Sequence, residues 1–96
     1  MNYNLFFDEK AIEQLEKYPK EIRNRIFNKL QSTKNNPYHF FEKLEGRPEY
    51  KLRVGDYRII ADISDKKIKI LVLYIGHRKN VYKKMKEPVT KKRAFV

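Results

Sequence analysis

Cysteine is absent from the chain, and histidine occurs only twice in its 96 residues. Without cysteine the protein has neither a disulfide framework nor a thiol nucleophile. A structural zinc site would have to combine His39 and His77 with carboxylates, and the presence of only two histidines and no cysteine disfavours such a site. We therefore expect no bound metal and no cofactor.

Long hydrophobic segments are also missing. The longest apolar run, Ile70 to Gly76, has the length of a buried strand and falls well short of the ~20 residues that span a bilayer. Residues 1–7 lack the basic region and the cleavage site of a secretory signal. We therefore expect a cytoplasmic protein with no membrane association.

Acidic residues are scarce relative to basic ones. The chain has 23 Lys and Arg against 12 Asp and Glu, a net charge of +11. The excess is uneven, because residues 1–40 carry a net +2 and residues 41–96 a net +9. A basic excess concentrated in one half predicts a polyanion or an acidic protein as partner.

The first half of the sequence predicts a strand followed by two helices. Residues 2–7 are β-prone, and Asp8 is a candidate N-cap for a helix over residues 9–17. Phe7 and Ile12 have the spacing of a hydrophobic staple. Pro19 separates this helix from a second one over residues 19–34, which Asn35-Asn36-Pro37 ends. The two helices form an αα-hairpin with an apolar stripe to bury.

The second half predicts an antiparallel meander. Residues 50–54 alternate between apolar and basic side chains, and turns at Gly55-Asp56 and Asp65-Lys66 separate strands over residues 57–64 and 67–75. A short basic helix follows around residues 80–85. The predicted fold is α+β, with the order β-α-α-β-β-β(-α) and the αα-hairpin on one face of a small, twisted, mainly antiparallel sheet. We expect one domain over residues 1–86 and a basic tail over residues 87–96.

Three segments together resemble a known family. They are Lys43-Leu44-Glu45-Gly46, then Tyr50 to Ile60 (Tyr-Lys-Leu-Arg-Val-Gly-Asp-Tyr-Arg-Ile-Ile), then Ile75 to Tyr82 (Ile-Gly-His-Arg-Lys-Asn-Val-Tyr). In this order and spacing the chain resembles the RelE branch of the RelE/ParE toxin superfamily over residues 2–85. The resemblance implies a toxin that cuts messenger RNA in the ribosomal A site and is inhibited by a cognate antitoxin.

Metal-free RNA cleavage makes specific chemical demands. The 2′-OH attacks the adjacent phosphorus, its proton must leave, and the phosphate oxygens gain negative charge. Positioned acid–base groups contribute roughly 10²–10⁴-fold, and preorganised cationic donors a comparable or larger factor. A cluster of Lys, Arg and Tyr can supply the electrostatic part, and Asp56, Asp62 and Asp65 lack metal-ligand spacing. We therefore expect a metal-independent reaction.

Site roles follow from the resemblance. Lys51 and Arg58 would stabilise phosphate charge, Arg78 would lie at the scissile phosphate, and Tyr82 would accept the 2′-OH proton. His77 is an alternative acid–base group, because an imidazole exchanges protons near neutral pH. Further RNA contacts are expected from Arg53, Lys43, Lys79, Lys83 and Lys84. The expected partners are messenger RNA and ribosomal RNA on the ribosome, and an acidic or amphipathic antitoxin segment in a heterodimer or heterotetramer.

Other interpretations stay open at the level of sequence. The fold would equally suit a ParE-like poison of DNA gyrase, which acts through protein contact. A catalytically weakened RNA-binding homologue is a third possibility, because Glu49 stands where some family members carry a second lysine. Arg58 could instead be an ion-pair partner of Asp56 or Asp62. The aromatic stretch Tyr38 to Phe41 could cover the core or stack on bases.

Overall fold

A five-stranded sheet with helices on one face forms the domain. The computed structural model describes residues 2–80. In chain order the elements are β1 (Asn4–Phe7), α1 (Glu9–Glu16), α2 (Lys20–Ser32), α3 (Pro37–Phe40), β2 (Glu42–Lys43), β3 (Tyr50–Val54), β4 (Tyr57–Ser64) and β5 (Lys69–His77). The strand order is β1-β5-β4-β3-β2, with β1 parallel to β5 and every other pair antiparallel. The α+β prediction is confirmed. Apart from Asn80, the predicted helix around residues 80–85 lies outside the described residues, and so does the tail over residues 87–96.

The helices begin where the capping residues indicate. The Asp8 carboxylate accepts a hydrogen bond from the Lys10 backbone N–H at 3.1 Å, which satisfies one of the free donors at the start of α1. Pro19 is the N-cap of α2. That helix ends at Ser32, two residues earlier than predicted, and the buried hydroxyl of Thr33 donates to the Leu30 carbonyl at 2.7 Å.

Two short elements were not predicted. The single-turn helix α3 starts at Pro37, and the two-residue strand β2 pairs with β3 through Glu42 opposite Lys51 and Lys43 opposite Tyr50. Neither element is long enough to show a helical or alternating pattern in sequence. Of the aromatic stretch Tyr38 to Phe41, Phe41 enters the core, whereas Tyr38 and Phe40 remain 42% and 36% exposed.

Strand register separates the sheet into two unlike faces. The helices cover one face, where the buried core includes Leu52, Ile59 and Ile75 together with Ile26 and Leu30 of α2. The opposite face carries the alternate residues of each strand, which no helix among residues 2–80 covers.

A β-bulge interrupts the pairing of β4 with β5. Ile60 is opposite Tyr74 and the next residue, Ala61, is opposite Val72, so Leu73 is an extra residue in β5. Beyond the bulge the pairing continues to Tyr57 opposite His77, and β5 therefore ends two residues later than the predicted position 75.

The turn before β5 contains a strained residue. Ile68 has a φ of +50°, in the left-handed region that a β-branched side chain rarely adopts. We expect Ile68→Asn to raise the free energy of unfolding by about 0.5–1 kcal/mol, because asparagine tolerates this conformation at lower cost. Urea unfolding measures the change. The control is Lys67→Asn, and an equal gain in both variants would contradict the strain argument.

Hydrogen bonds to Asp65, in the same turn, predict that stability depends on pH. The hydroxyls of Tyr38 and Tyr3 donate to the same carboxylate oxygen of Asp65, at 2.7 and 2.8 Å. These bonds, the one from Tyr38 first, hold the pKa of Asp65 below its ordinary value of 3.8. The folded-state pKa is therefore lower than the unfolded one, so this stabilisation is present above the ordinary value and is lost as the pH falls through the lowered one.

Asp65→Asn should therefore reduce the loss of stability on acidification. The measurement is the urea midpoint between about pH 6 and pH 2. Asp56→Asn makes the same charge change at the other hairpin turn and serves as the control. A variant that loses stability as steeply as the wild type would show that the two hydroxyl bonds do not couple to folding.

Candidate functional site

Three basic side chains share the face of the sheet that no helix among residues 2–80 covers, which we call the uncovered face. Lys51 and Arg53 alternate with the core residues of β3, and Arg58 lies on β4 directly opposite Arg53. Residues directly opposite in an antiparallel pair lie about 4.5–5.5 Å apart. We call the surface formed by Lys51, Arg53 and Arg58 the cationic face. Like charges placed directly opposite destabilise a sheet, so this arrangement indicates a site for an anion.

Backbone carbonyls hold Arg58 in place. Its Nη1 donates to the Gly55 carbonyl at 2.9 Å and to the Tyr57 carbonyl at 3.0 Å, and the residue is only 8% exposed. Among residues 2–80 its other two guanidinium nitrogens have no hydrogen-bond partner, and no ion pair joins Arg58 to Asp56. The guanidinium is thus oriented before any ligand binds.

The turn beneath Arg58 depends on a glycine. Gly55 has a φ of +58°, which suits the first position of a two-residue hairpin loop. A Cβ at this position would also lie 3.1 Å from Nη1 of Arg25 on α2. The Gly55 carbonyl that holds Arg58 therefore owes its position to a turn that favours glycine.

Carboxylates near the cationic face are only loosely placed or already paired. Glu42 lies opposite Lys51, with 3.7 Å between Oε1 and Nζ, and the Glu42 side chain is 76% exposed. Such a surface pair contributes about 0–1 kcal/mol. Glu49 accepts two hydrogen bonds from Arg47, at 3.0 and 3.2 Å. Arg47 therefore offsets part of the negative charge that Glu49 brings near the cationic face.

Arg78 follows β5 at the same end of the sheet as Arg58. Its backbone N–H donates to the Asp56 carbonyl at 2.8 Å, which joins the end of β5 to the turn between β3 and β4. Lys79 comes next, and its N–H donates to Nδ1 of His77 at 3.2 Å. The backbone of Arg78 therefore lies at the edge of the cationic face, beside the turn that precedes Arg58.

Two predicted site residues lie on the other face. His77 is opposite Tyr57, whose ring meets the imidazole edge-on at 5.8 Å between centroids. Lys43 is opposite Tyr50, and its Nζ donates to the Arg47 carbonyl at 2.7 Å. The structure thus separates both from Lys51, Arg53 and Arg58. Tyr82, Lys83 and Lys84 lie outside the described residues.

Sequence reasoning missed Tyr74. Alternation from the buried Ile70 and Val72 would direct Tyr74 into the core, but the extra residue Leu73 places it on the uncovered face instead. There its ring packs against Ile60, next to Lys51 in the adjoining strand. Only knowledge of the β-bulge would have placed Tyr74 on this face, and no pattern in the local sequence indicates the bulge.

A pocket of about 260 Å³ lies beside β5 where β1 has ended. The side-chain oxygen of Gln14 accepts a hydrogen bond from the Ile75 backbone N–H at 2.7 Å, which caps this part of the strand edge. Burial, and then the neighbouring Tyr57, raises the pKa of Tyr18. The pocket is lined by Gln14, Lys17, Tyr18, Tyr74, Ile75, Gly76, His77 and Asn80.

Among residues 2–80, no three His, Asp or Glu side chains come together in a way that could hold a metal ion. No helix in that range is long and apolar enough to cross a membrane. The basic side chains of the cationic face can stabilise negative charge.

Comparison with known proteins gives one family. A family model described as the ParE toxin of the type II toxin–antitoxin system parDE matches residues 5–82. The chain is 32% identical over 81 residues to the mRNA interferase toxin RelE of Escherichia coli K12, covering 81% of this chain and 85% of that protein.

Solved structures agree with this match. The toxin in the intact E. coli RelBE toxin–antitoxin complex superposes with a TM-score of 0.68 at 31% identity, covering 78% of this chain and 95% of that one. The archaeal RelE–RelB complex from Pyrococcus horikoshii OT3 gives a TM-score of 0.70 at 26% identity, covering 84% and 100%. The sheet and helices described above are thus shared with toxins of known structure.

The Glu42–Lys51 pair makes a prediction about anion binding. Glu42→Gln should tighten binding of a fully 2′-deoxy oligonucleotide by about 2- to 3-fold at low salt, because Lys51 loses a competing carboxylate. Fluorescence anisotropy measures the affinity. The control is Glu13→Gln on the exposed side of α1, and equal tightening in both would mean that only the net charge matters.

Proposed function

Because the chain belongs to the RelE/ParE family of toxins from type II toxin–antitoxin systems, we propose that it is an endoribonuclease that cleaves messenger RNA in the ribosomal A site. The observation that carries this proposal is the placement of Lys51, Arg53 and Arg58 on one uncovered face. Support also comes from relatives that are themselves called mRNA interferases.

The proposed reaction uses the cations to stabilise charge. The 2′-oxygen forms a bond to phosphorus while the bond from phosphorus to the 5′-oxygen breaks, leaving a 2′,3′-cyclic phosphate and a 5′-hydroxyl end. Arg58 and Lys51 stabilise the phosphate oxygens, which carry the growing charge. Because Arg58 is already held by two carbonyls, little reorganisation accompanies the reaction.

Arg78 and Tyr82 complete the proposed mechanism. Arg78 stabilises the departing 5′-oxygen, which takes its proton from water, since a guanidinium hardly deprotonates in proteins. Tyr82 accepts the proton of the 2′-OH, the role that the family resemblance implies for it. His77 is a weaker candidate for this base, because it faces away from the cationic face. No metal ion is required in this scheme.

The proposed partners are polyanionic or acidic. A net charge of +11 suits messenger and ribosomal RNA, to which Arg53, Lys79, Lys83 and Lys84 would contribute salt-sensitive contacts. Related toxins have been crystallised with their antitoxins, RelB in both cases. We propose that this toxin likewise binds a cognate antitoxin through an acidic or amphipathic segment, as a heterodimer or heterotetramer in the cytoplasm.

Inhibition of DNA gyrase is the second candidate function. The matched family model describes ParE toxins, and this observation favours it. Gyrase inhibition through protein contact needs no cluster of phosphate-binding cations, so the variants of the cationic face separate the two functions.

In a cell-free translation reaction, the wild type should arrest synthesis and produce new message 5′ ends within codons. Arg58→Ala and Arg78→Ala should each lower the cleavage rate by about 100-fold or more, because each removes charge stabilisation at the phosphate. Lys66→Ala, at the exposed turn before β5, is the matched control. Circular dichroism checks that each variant is folded.

Two results would contradict the nuclease assignment. One is arrest by Arg58→Ala and Arg78→Ala at the wild-type level. The other is intact message together with loss of gyrase supercoiling activity, which would favour the second candidate.

A further inference from the structure

The position of Tyr74 brings an aromatic ring to the border of the cationic face. Tyr74 is opposite Ile60, and Gly76 is opposite Arg58. Tyr74 and Arg58 are therefore diagonal neighbours across one strand pair, roughly 7–8 Å apart at their Cα atoms. Because Gly76 has no side chain, β5 presents nothing of its own between the ring and the guanidinium.

Packing fixes the ring in this position. Tyr74 and Leu44 both pack against Ile60, the fully buried residue on this side of the sheet, while Tyr74 itself stays partly exposed. Within residues 2–80 its hydroxyl makes no hydrogen bond. A tyrosine that packs against a buried residue and keeps part of its ring exposed is suited to stacking with another ring.

The pocket beside β5 adds hydrogen-bonding groups to this ring. Gln14 uses its oxygen on the Ile75 N–H, so its amide nitrogen remains a donor. The Ile75 carbonyl faces the same strand edge as its N–H and is an acceptor. Asn80 also lines the pocket and supplies a second amide. Tyr18 and His77 line the pocket as further rings.

Size and chemistry together indicate the ligand. At about 260 Å³ the pocket is smaller than the ~300–1,000 Å³ of sites for drug-sized ligands and suits one planar ring system. Aromatic walls combined with amide donors and carbonyl acceptors are the features that bind an unstacked nucleobase. Lys17, which also lines the pocket, adds a positive charge that suits the attached phosphate.

We propose that Tyr74 and the pocket lined by Gln14 and Asn80 form a subsite for the nucleobase next to the scissile phosphate. This proposal rests on the proposed nuclease function and extends it to substrate selection. The phosphate lies on the cationic face, and the adjoining base turns over the Gly76 position to stack on Tyr74. Codon preference then depends on which bases the pocket amides can satisfy.

Ribosomes programmed with a defined short message test this subsite. Single-turnover cleavage is measured with an abasic sugar at each A-site position in turn. For the wild type, loss of one particular base should slow cleavage by about tenfold or more. Tyr74→Leu should slow cleavage of the intact message by a similar factor, and the abasic sugar should then cause little further loss. Tyr74→Phe should restore the rate.

Phe6→Leu is the matched control. Phe6 is an exposed aromatic residue on the same side of the sheet as Tyr74. It lies on β1 opposite Leu71, away from Lys51, Arg53 and Arg58. Equal losses in Phe6→Leu and Tyr74→Leu would overturn the subsite. Fully additive losses from the abasic sugar and Tyr74→Leu would also overturn it. Thermal unfolding verifies that Tyr74→Leu is folded, and Tyr74→Phe keeps the test valid if it is not.

A binding measurement separates this proposal from the nuclease function. The probe is a fully 2′-deoxy oligonucleotide with 2-aminopurine at the selected position, whose fluorescence is quenched by stacking. Quenching by the wild type and by Tyr74→Phe but not by Tyr74→Leu supports the subsite even if no message is cleaved. Cleavage by the wild type together with quenching that is independent of Tyr74 would overturn the subsite and leave the nuclease function standing.

Discussion

Among residues 2–80 the helices cover only one side of the sheet, and the rest of this part of the structure depends on that constraint. Helices α1 and α2 pack against alternate residues of β3, β4 and β5, so every intervening residue of those strands faces outward. Lys51, Arg53 and Arg58 occupy such outward positions. If the register of β3 slipped by one residue, these cations would enter the core and Leu52 would face water, which makes the register strongly specified.

Within that constraint the three cations are held differently. Arg58 is nearly buried and is held by the Gly55 and Tyr57 carbonyls, whereas Lys51 has a long, weak contact with Glu42. Arg53 is exposed and lies opposite Arg58, an arrangement that disfavours folding through like-charge repulsion. The repulsion between these cations is already present in the folded state, so a phosphate that binds meets donors that are already oriented.

Much of the fold could be predicted from local patterns. Strands β3 and β4 have the predicted bounds, because residues 50–54 alternate strictly and turn residues flank both strands. The start of α1 after Asp8 is also confirmed, since capping depends on neighbours in sequence. The short elements α3 and β2 were missed because they contain too few residues for a period. Lys51 and Arg53 were placed on one face correctly by alternation alone.

The sequence by itself determined the α+β class, the basic excess and the separation of Lys51 and Arg53 from the core residues between them, because composition and alternation are local properties. Only the tertiary structure decided that Tyr74 faces outward and that His77 and Lys43 lie on the opposite face. These outcomes depend on the extra residue in β5 and on cross-strand register. Both are set by packing between residues far apart in the chain, and no local pattern encodes them.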